Sequence, residues 1–211
     1  MTSDKKVIIA IGRQLGSGGR LIGERLAQEL GIAFYDKEVL QLAVKESGIN
    51  VKFFEESDER GKGFFGALSG FFAPLLGGGS PDDNQLSRES LFKIQSNAIR
   101  KVADENSCVI VGRCADYVLR DDPRCISIFI SAGTTDRIKR LCQLKNISAH
   151  EAQRLIHSGD ERRAAYYNYF STGKWGAAAT YNLCVNSSVL GVEGTIAYIK
   201  DFVLRKLAQN A

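Results

Sequence analysis

A glycine-rich turn between an apolar strand and an amphipathic helix most strongly constrains the fold of this chain. The stretch IIAIGRQLGSGGRLIGERLAQEL, residues 8–30, begins with a β-branched run that is typical of a strand. Apolar residues then recur at helical spacing, and Gly31 follows where the cap that ends a helix is expected. A strand, a glycine turn and a helix in this order are typical of a loop that binds phosphate through backbone N–H groups.

The turn departs from the regular phosphate-binding loop, in which a lysine and then a serine or threonine follow the second key glycine. Taking Gly18 as that glycine puts Gly19 at the lysine position and Arg20 at the hydroxyl position. A shift of one residue puts Arg20 at the lysine position, but Gln14 then replaces the first glycine. Arg13 or Arg20 could supply the missing charge. The loop alone leaves two interpretations open: a phosphate site that uses arginine, or a tight turn with solvated arginines.

Apolar runs of strand length alternate with helical patterns along the chain. The strand-like runs are 7–11, 108–112, 125–130 and 182–186, with a weaker one at 32–35. Helical patterns cover 91–106 and 192–209, and further helices are expected with Asp36 and Thr135 as their caps. Because the strand-like runs lack polar alternation, they predict strands buried on both faces of a parallel sheet. The alternation predicts a three-layer α/β fold with ligands at the carboxyl ends of the strands.

Length and composition limit the class of protein. A chain of 211 residues fits a single domain, 1–211, with a substantial core. Two segments break the alternation, a glycine-rich aromatic insertion at 53–90 and an arginine- and tyrosine-rich segment at 146–176. The net charge of +4 is too small to indicate nucleic-acid binding, whereas small anions such as nucleotides fit it.

The cysteines and the apolar segments indicate a reducing compartment. Five cysteines without a C-x-x-C pair argue against disulfides and against a zinc site. We find no signal peptide pattern and no apolar stretch long enough to span a bilayer. We therefore expect a cytoplasmic protein without a membrane partner, either a monomer or a homodimer.

Two further groups of cations are expected near the ligand edge of the sheet. Arg113 directly follows a predicted strand in SCVIVGRCADYVL. The stretch RLIHSGDERRAAYYNYFSTGKWG carries Asp160 together with the arginines Arg154, Arg162 and Arg163. Such a segment is typical of a lid that closes over a phosphate chain, although a charge run is also typical of a solvated helix.

Taken in order, these stretches resemble the cytidylate kinase-like family of P-loop proteins. The resemblance covers nearly the whole chain and is carried by GRQLGSGGRLIGERLA, FYDKEVL, SCVIVGRCADYVLRD, DRIKRL, DERRAAYYNYFSTGKWG and YNLCVNSS. It implies a nucleoside monophosphate kinase-like P-loop NTPase fold, with 53–90 as an insertion on the acceptor side and 146–176 as an arginine-rich lid. It also implies transfer of the ATP γ-phosphoryl group to a (d)CMP-like or other small nucleotide-like acceptor, with ATP and Mg²⁺ as cofactors and nucleotides as partners.

The resemblance suggests roles for individual residues. The GR after the strand, Gly112 and Arg113, matches an acceptor-binding pair, and FYD points to Asp36. A lid motif of the form RDxxDxxR matches in part, at Asp160 and Arg163.

The expected site divides into three groups of residues. The loop residues expected to bind the ATP phosphates are Gly16, Ser17, Gly18 and Gly19. The charges expected to act in catalysis are Arg13, Arg20, Arg162 and Arg163. Acceptor binding is expected of Asp36, Arg113, Asp160 and Arg154. No metal ligand is assigned, although Ser17 or Asp36 could lie near Mg²⁺.

The chain departs from cytidylate kinases in three respects. The loop lysine and its following hydroxyl are absent, Cys114 stands where those enzymes carry Asp, and 53–90 does not resemble their base-reading insertion. The resemblance therefore transfers the fold well, the phosphoryl chemistry less well and the substrate poorly. One alternative is a catalytically weak nucleotide-binding module or sensor without turnover. Another is an interaction protein that docks through the phenylalanine-rich segment 64–76.

Overall fold

The computed structural model describes residues 6–36 and 88–209. Most of the expected insertion at 53–90, the segment 64–76 and the helix expected after Asp36 lie outside the described residues. The chain divides into two compact units, Met1–Asp36 with Arg100–Ala211, and Lys37–Ile99, of which residues 88–99 are described.

A five-stranded parallel sheet forms the centre of the first unit. Its strands are β1 (Ile8–Arg13), β2 (Ala33–Tyr35), β3 (Cys108–Val111), β4 (Cys125–Ser131) and β5 (Leu183–Asn186). They lie in the order β2-β3-β1-β4-β5, and every neighbouring pair is parallel. The α-helices of the described residues are α1 (Gly19–Leu30), α2 (Arg88–Glu105), α3 (Ala115–Val118), α4 (Thr134–Lys145), α5 (Ala149–Phe170) and α6 (Ser187–Gln209). The α/β fold class predicted from the alternation is confirmed.

The core lies between one face of the sheet and helices α1 and α6. Ile9 and Ile11 of β1 pack with Ile22 of α1 and Ile196 of α6, and all four side chains are almost fully buried. Each such side chain contributes about 1.5–3 kcal/mol through removal of apolar surface from water. Because β1 is central and pairs with both β3 and β4, it needs apolar residues on both faces, which its uninterrupted run provides.

Two helix boundaries differ from the sequence-based expectations. Helix α4 has Gly133 as its N-cap, so the prediction that Thr135 caps it is wrong. The reason is that the Arg137 N–H already donates to the Gly133 carbonyl at 3.1 Å, which starts the first turn earlier. Helix α6 begins at Ser187 and is interrupted at Gly191, with φ 66°, so the expected helix from 192 is its second segment.

The predicted glycine cap of α1 gives a test of the fold. Gly31 has φ 67°, and a Cβ there would meet no atom within 4 Å, so an alanine adds mainly left-handed backbone strain. We expect Gly31→Ala to lower the free energy of unfolding by about 1–2 kcal/mol in urea denaturation. Gln28→Ala, an exposed substitution in the same helix, should change it by no more than about 0.5 kcal/mol. Equal effects of the two substitutions would contradict the role of Gly31.

Candidate phosphate-binding site

The loop between β1 and α1 has the backbone of an anion-binding turn. Gly16 and Gly18 both have φ 80°, a conformation that glycine adopts without strain. The hydroxyl of the fully buried Ser17 donates to the Gln14 carbonyl at 2.9 Å and accepts from the Gly19 N–H at 3.3 Å. Helix α1 then begins at Gly19, so the first N–H groups of the helix, with the positive end of its dipole, lie at the loop.

Side chains from α4 and α6 hold the loop from outside. Three successive loop carbonyls each accept a hydrogen bond from a side chain: Leu15 from Arg137 at 2.7 Å, Gly16 from Arg140, and Ser17 from Ser187 at 2.7 Å. In a trans peptide the C=O and the following N–H point in opposite directions. The N–H groups of Gly16 and Gly18 are therefore directed away from these donors, as an anion-binding loop requires.

Arg13, the last residue of β1, lies against two glycines. A Cβ on Gly19 would be 2.7 Å from the Arg13 Cβ, and a Cβ on Gly112 would be 2.0 Å from its Nη1. The Arg13 side chain therefore occupies space that a lysine at position 19 would need. The site lacks the usual lysine and contains in its place a largely buried arginine, which is the last residue of the preceding strand.

Asp36 joins the two arginines of the loop. It follows β2, is 5% exposed, and accepts a hydrogen bond from Arg20 Nε at 3.1 Å on Oδ2. Arg13 Nη2 lies 3.5 Å from its Oδ1. Arg20 is half exposed and also pairs with Glu24 at 3.0 Å, so the two arginines differ in burial. The structure thus brings together three residues that the sequence analysis assigned to the site.

Arg113 follows β3 in an unusual backbone. Gly112, Arg113 and Cys114 are successive left-handed residues, with φ of 79°, 63° and 54°. A non-glycine residue held in such a conformation costs on the order of 1–3 kcal/mol, and strain of this kind is concentrated at binding and catalytic sites. Because β1 and β3 are parallel neighbours, this turn lies at the same sheet edge as the loop.

Three guanidinium groups at this edge repel one another. Burial first, and then repulsion from Arg13, lowers the pKa of Arg163 to about 9. Burial also lowers the pKa of Arg13 to about 10, with repulsion from Arg113 and Arg20 adding to the shift and Asp36 opposing it. The pKa of Arg113 is lowered for the same main reason, its burial. A bound anion would offset this excess of buried positive charge.

Asp160 connects helix α5 to the loop. Its Oδ1 accepts the Leu15 N–H at 2.7 Å, and its Oδ2 pairs with Arg137. Arg163, one turn later on α5, lies 3.8 Å from the same carboxylate and donates to the carbonyl of Arg13 at 3.4 Å. Two of the predicted lid residues, Asp160 and Arg163, are therefore in contact with the loop or its strand.

The other two predicted lid arginines lie differently. Arg154 and Arg162 are exposed on α5. Arg154 precedes Arg163 by about two and a half helical turns, which puts it on the opposite face of the helix. The structure does not bring Arg154 to the loop together with Arg163.

Sequence reasoning assigned no role to Arg137, Arg140 or Ser187, which hold the loop carbonyls. A signal for the two arginines was present in DRIKRL, because a spacing of three places side chains on one face of a helix. Ser187 gave no such signal, since it is brought to the loop by the end of β5.

The described residues do not fit a protein-bound Mg²⁺, which the resemblance implies. The Ser17 hydroxyl is buried within the loop, and Asp36 is paired with Arg13 and Arg20. Within 6–36 and 88–209, no group of three or more His, Cys, Asp or Glu side chains could hold a metal ion.

In the same ranges, no helix is both long enough and apolar enough to cross a membrane.

The buried pair of Arg137 and Asp160 gives a test of the site's structure. Their side chains are 6% and 17% exposed, so removing one partner leaves a charge that is largely out of water. We expect Arg137→Leu to lower the free energy of unfolding by about 3–5 kcal/mol, and Arg137→Leu with Asp160→Leu to recover part of that loss. Lys139→Leu, at an exposed position of the same helix, is the control in urea denaturation. A loss no larger than that of the control would contradict the pairing.

Comparisons with known proteins agree with this geometry. The sequence pattern of the cytidylate kinase-like family matches residues 8–189. No curated protein matches the chain in sequence. An uncharacterized protein from Eubacterium ventriosum ATCC 27560 has a similar crystal structure, with 28% identity, a TM-score of 0.69, and coverage of 94% of this chain and 98% of that one. A shikimate kinase from Bacteroides thetaiotaomicron shares the fold at 14% identity and a TM-score of 0.51, over 93% of this chain and 98% of that one. With its parallel sheet and its glycine loop at the carboxyl edge, the chain belongs to the cytidylate kinase-like family.

Proposed function

We propose that the protein is an ATP-dependent phosphotransferase of the nucleoside monophosphate kinase type, which moves the γ-phosphoryl group of ATP to a small nucleotide-like acceptor. The observation that carries the proposal is a group of arginines at one sheet edge: Arg13, largely buried and 3.5 Å from Asp36, Arg163, which donates to the Arg13 carbonyl at 3.4 Å, and Arg113 in its strained turn. Positive charge in excess of carboxylate at a largely buried site favours an anionic ligand. We further propose a cytoplasmic enzyme, monomeric or homodimeric, that acts on nucleotides and binds neither nucleic acid nor membranes.

The donor phosphates are bound by the loop. The N–H groups of Gly16 and Gly18 form the cradle at the start of α1. Ser17 and Gly19 shape it, because their N–H groups donate to the Gln14 carbonyl and to the Ser17 hydroxyl. Arg13 takes the place of the missing lysine because its side chain covers Gly19, whereas Arg20 pairs with Glu24 and is half exposed. The charge thus comes from the strand that precedes the loop.

The acceptor and the transferring group are held by the other arginines. Arg113, in its strained turn after β3, binds the acceptor phosphate with Asp36 beside it. Arg163 acts on the transferring group from α5, and Asp160 positions it. Residues 146–176 are the lid in this proposal, and the exposed Arg154 and Arg162 have lesser roles in it. Phosphoryl transfer needs such alignment and charge more than covalent chemistry.

The second candidate is nucleotide binding without turnover. It is favoured by Gly19, which stands where active P-loop kinases carry lysine. The two candidates differ in one outcome only, which is the appearance of product.

A transfer panel tests the proposal. ATP and Mg²⁺ are mixed with CMP, dCMP, UMP, AMP, GMP, free nucleosides or shikimate, and products are separated by chromatography. We expect a phosphorylated product whose kcat/KM falls by about 100-fold or more in Arg13→Ala, by analogy with removal of one donor to a transition-state charge. Arg20→Ala should lose less, and Arg205→Ala, an exposed arginine of α6, should lose nothing.

The panel has two contrary outcomes. ATP binding in calorimetry without product from any acceptor would favour the module without turnover. Absence of ATP binding would contradict the assignment of the loop as a phosphate site.

The lowered arginine pKa values predict the pH dependence of binding. Arg163, with a pKa of about 9, and Arg13, with a pKa of about 10, lose their protons at high pH, so affinity for ATP should be level near neutrality and fall above pH about 9. The stability of the free protein should move the other way. Both pKa values lie below 12.5, the ordinary value for arginine, so above pH about 9 the unfolded state binds more protons than the folded state. The free energy of unfolding should therefore increase as the pH rises through this range. Calorimetric titrations with ATP across this range check the prediction, and affinity that rises above pH 9 would contradict it.

A further inference from the structure

We propose that the loop binds the phosphates of ATP without requiring Mg²⁺, because the Arg13 side chain packs over Gly19, the lysine position of a P-loop kinase, and Arg20 stands at the position of its metal-binding hydroxyl residue. This inference rests on the proposed function and specifies how the same site binds its ligand. In the regular loop the residue after the lysine supplies a hydroxyl to the metal. Here that residue is Arg20, at the second position of α1.

The loop does not direct a hydroxyl ligand towards a metal in its concavity. Mg²⁺ binds oxygen ligands at about 2.0–2.1 Å in octahedral geometry. The hydroxyl of Ser17 has 0% residue exposure and already contacts Gln14 and Gly19, so it does not face a ligand in the concavity. The guanidinium of Arg20 would repel a divalent cation placed at the start of α1.

The carboxylate of Asp36 is already paired with two arginines. Asp36 is the acidic residue directly after β2, where a metal-binding aspartate could act. Its two oxygens lie 3.5 Å from Arg13 and 3.1 Å from Arg20. To coordinate Mg²⁺, Asp36 would have to break two ion pairs at a position that is 5% exposed.

The protein itself supplies positive charge around the loop. Arg137 and Arg140 hold the loop carbonyls from outside. The further arginines near the loop are Arg13, Arg20, Arg113 and Arg163, and the carboxylates that they pair with include Asp36, Glu24 and Asp160. Arginine binds phosphate oxygens with two parallel N–H groups and stays charged at neutral pH. A triphosphate that enters the loop would compete with Asp36 for the guanidiniums, and in doing so would have its charge offset by the protein itself.

Calorimetry of the full chain with a non-hydrolysable ATP analogue, in excess EDTA and in excess MgCl₂, tests this inference. We expect the two Kd values to agree within about threefold. Binding that is weaker in EDTA by about tenfold or more would overturn the inference and leave the proposed function standing. Absence of binding in both conditions would overturn both.

Two substitutions make the test sharper. Asp36→Asn should tighten binding of the analogue in both conditions, because it removes the anion that competes for Arg13 and Arg20. If Asp36 instead coordinates Mg²⁺, the same variant would weaken binding in MgCl₂ alone, which would overturn the inference. Asp201→Asn, at an exposed carboxylate that pairs with Arg205 at 2.7 Å on α6, is the matched control and should change neither Kd.

The converse substitution is Arg20→Ser, which places a hydroxyl where the regular loop has one. We expect weaker binding in EDTA and the appearance of a Mg²⁺ dependence that the unmodified protein lacks. Thermal unfolding of each variant shows that the fold is retained before the Kd values are compared. Unchanged binding in EDTA by Arg20→Ser would overturn the part assigned to Arg20.

Discussion

The removal of the Arg13 guanidinium from water at the end of β1 determines much of the surrounding structure. Its side chain fills the space beside positions 19 and 112, where an added Cβ would approach it to 2.7 Å and 2.0 Å. The contact at position 19 is with the Arg13 Cβ and favours glycine there, whereas φ 79° favours glycine at position 112. The Arg13 side chain and a lysine side chain at position 19 would therefore compete for the same space. A buried charge needs a partner, and Asp36 provides it from the neighbouring part of the sheet edge.

A second set of charged side chains links the loop to helices α4 and α5. Arg137 of α4 contacts both the Leu15 carbonyl and Asp160, and Asp160 of α5 accepts the Leu15 N–H. Gly159 allows α5 to approach this closely, since a Cβ there would be 2.8 Å from the Leu15 side chain. Movement of α5 away from the loop would break these contacts, so the conformations of the loop and of the helix are energetically coupled.

Much of the fold could be predicted because its signals are local. The β-branched run of β1 lacks polar alternation because the strand is buried on both faces, and Gly31 ends α1 because only a left-handed residue fits there. The start of α4 could not be predicted in the same way. Several residues near 133–135 could cap a helix. The backbone of the turn after β4 places Gly133 at the cap, and the sequence around Thr135 does not show that backbone.

The sequence predicted the glycine loop and its place in the fold, but not the side-chain contacts around it. From the sequence alone it follows that a glycine loop with flanking arginines joins a buried strand to a helix, because backbone geometry and apolar spacing depend on neighbouring residues. The sequence did not determine whether Arg13 or Arg20 lies over Gly19, that Arg137 holds the loop, or that Arg154 lies on the far face of α5. Only the tertiary structure decided these points, because the partners of a long charged side chain depend on strand order and helix rotation, which join residues far apart in the chain.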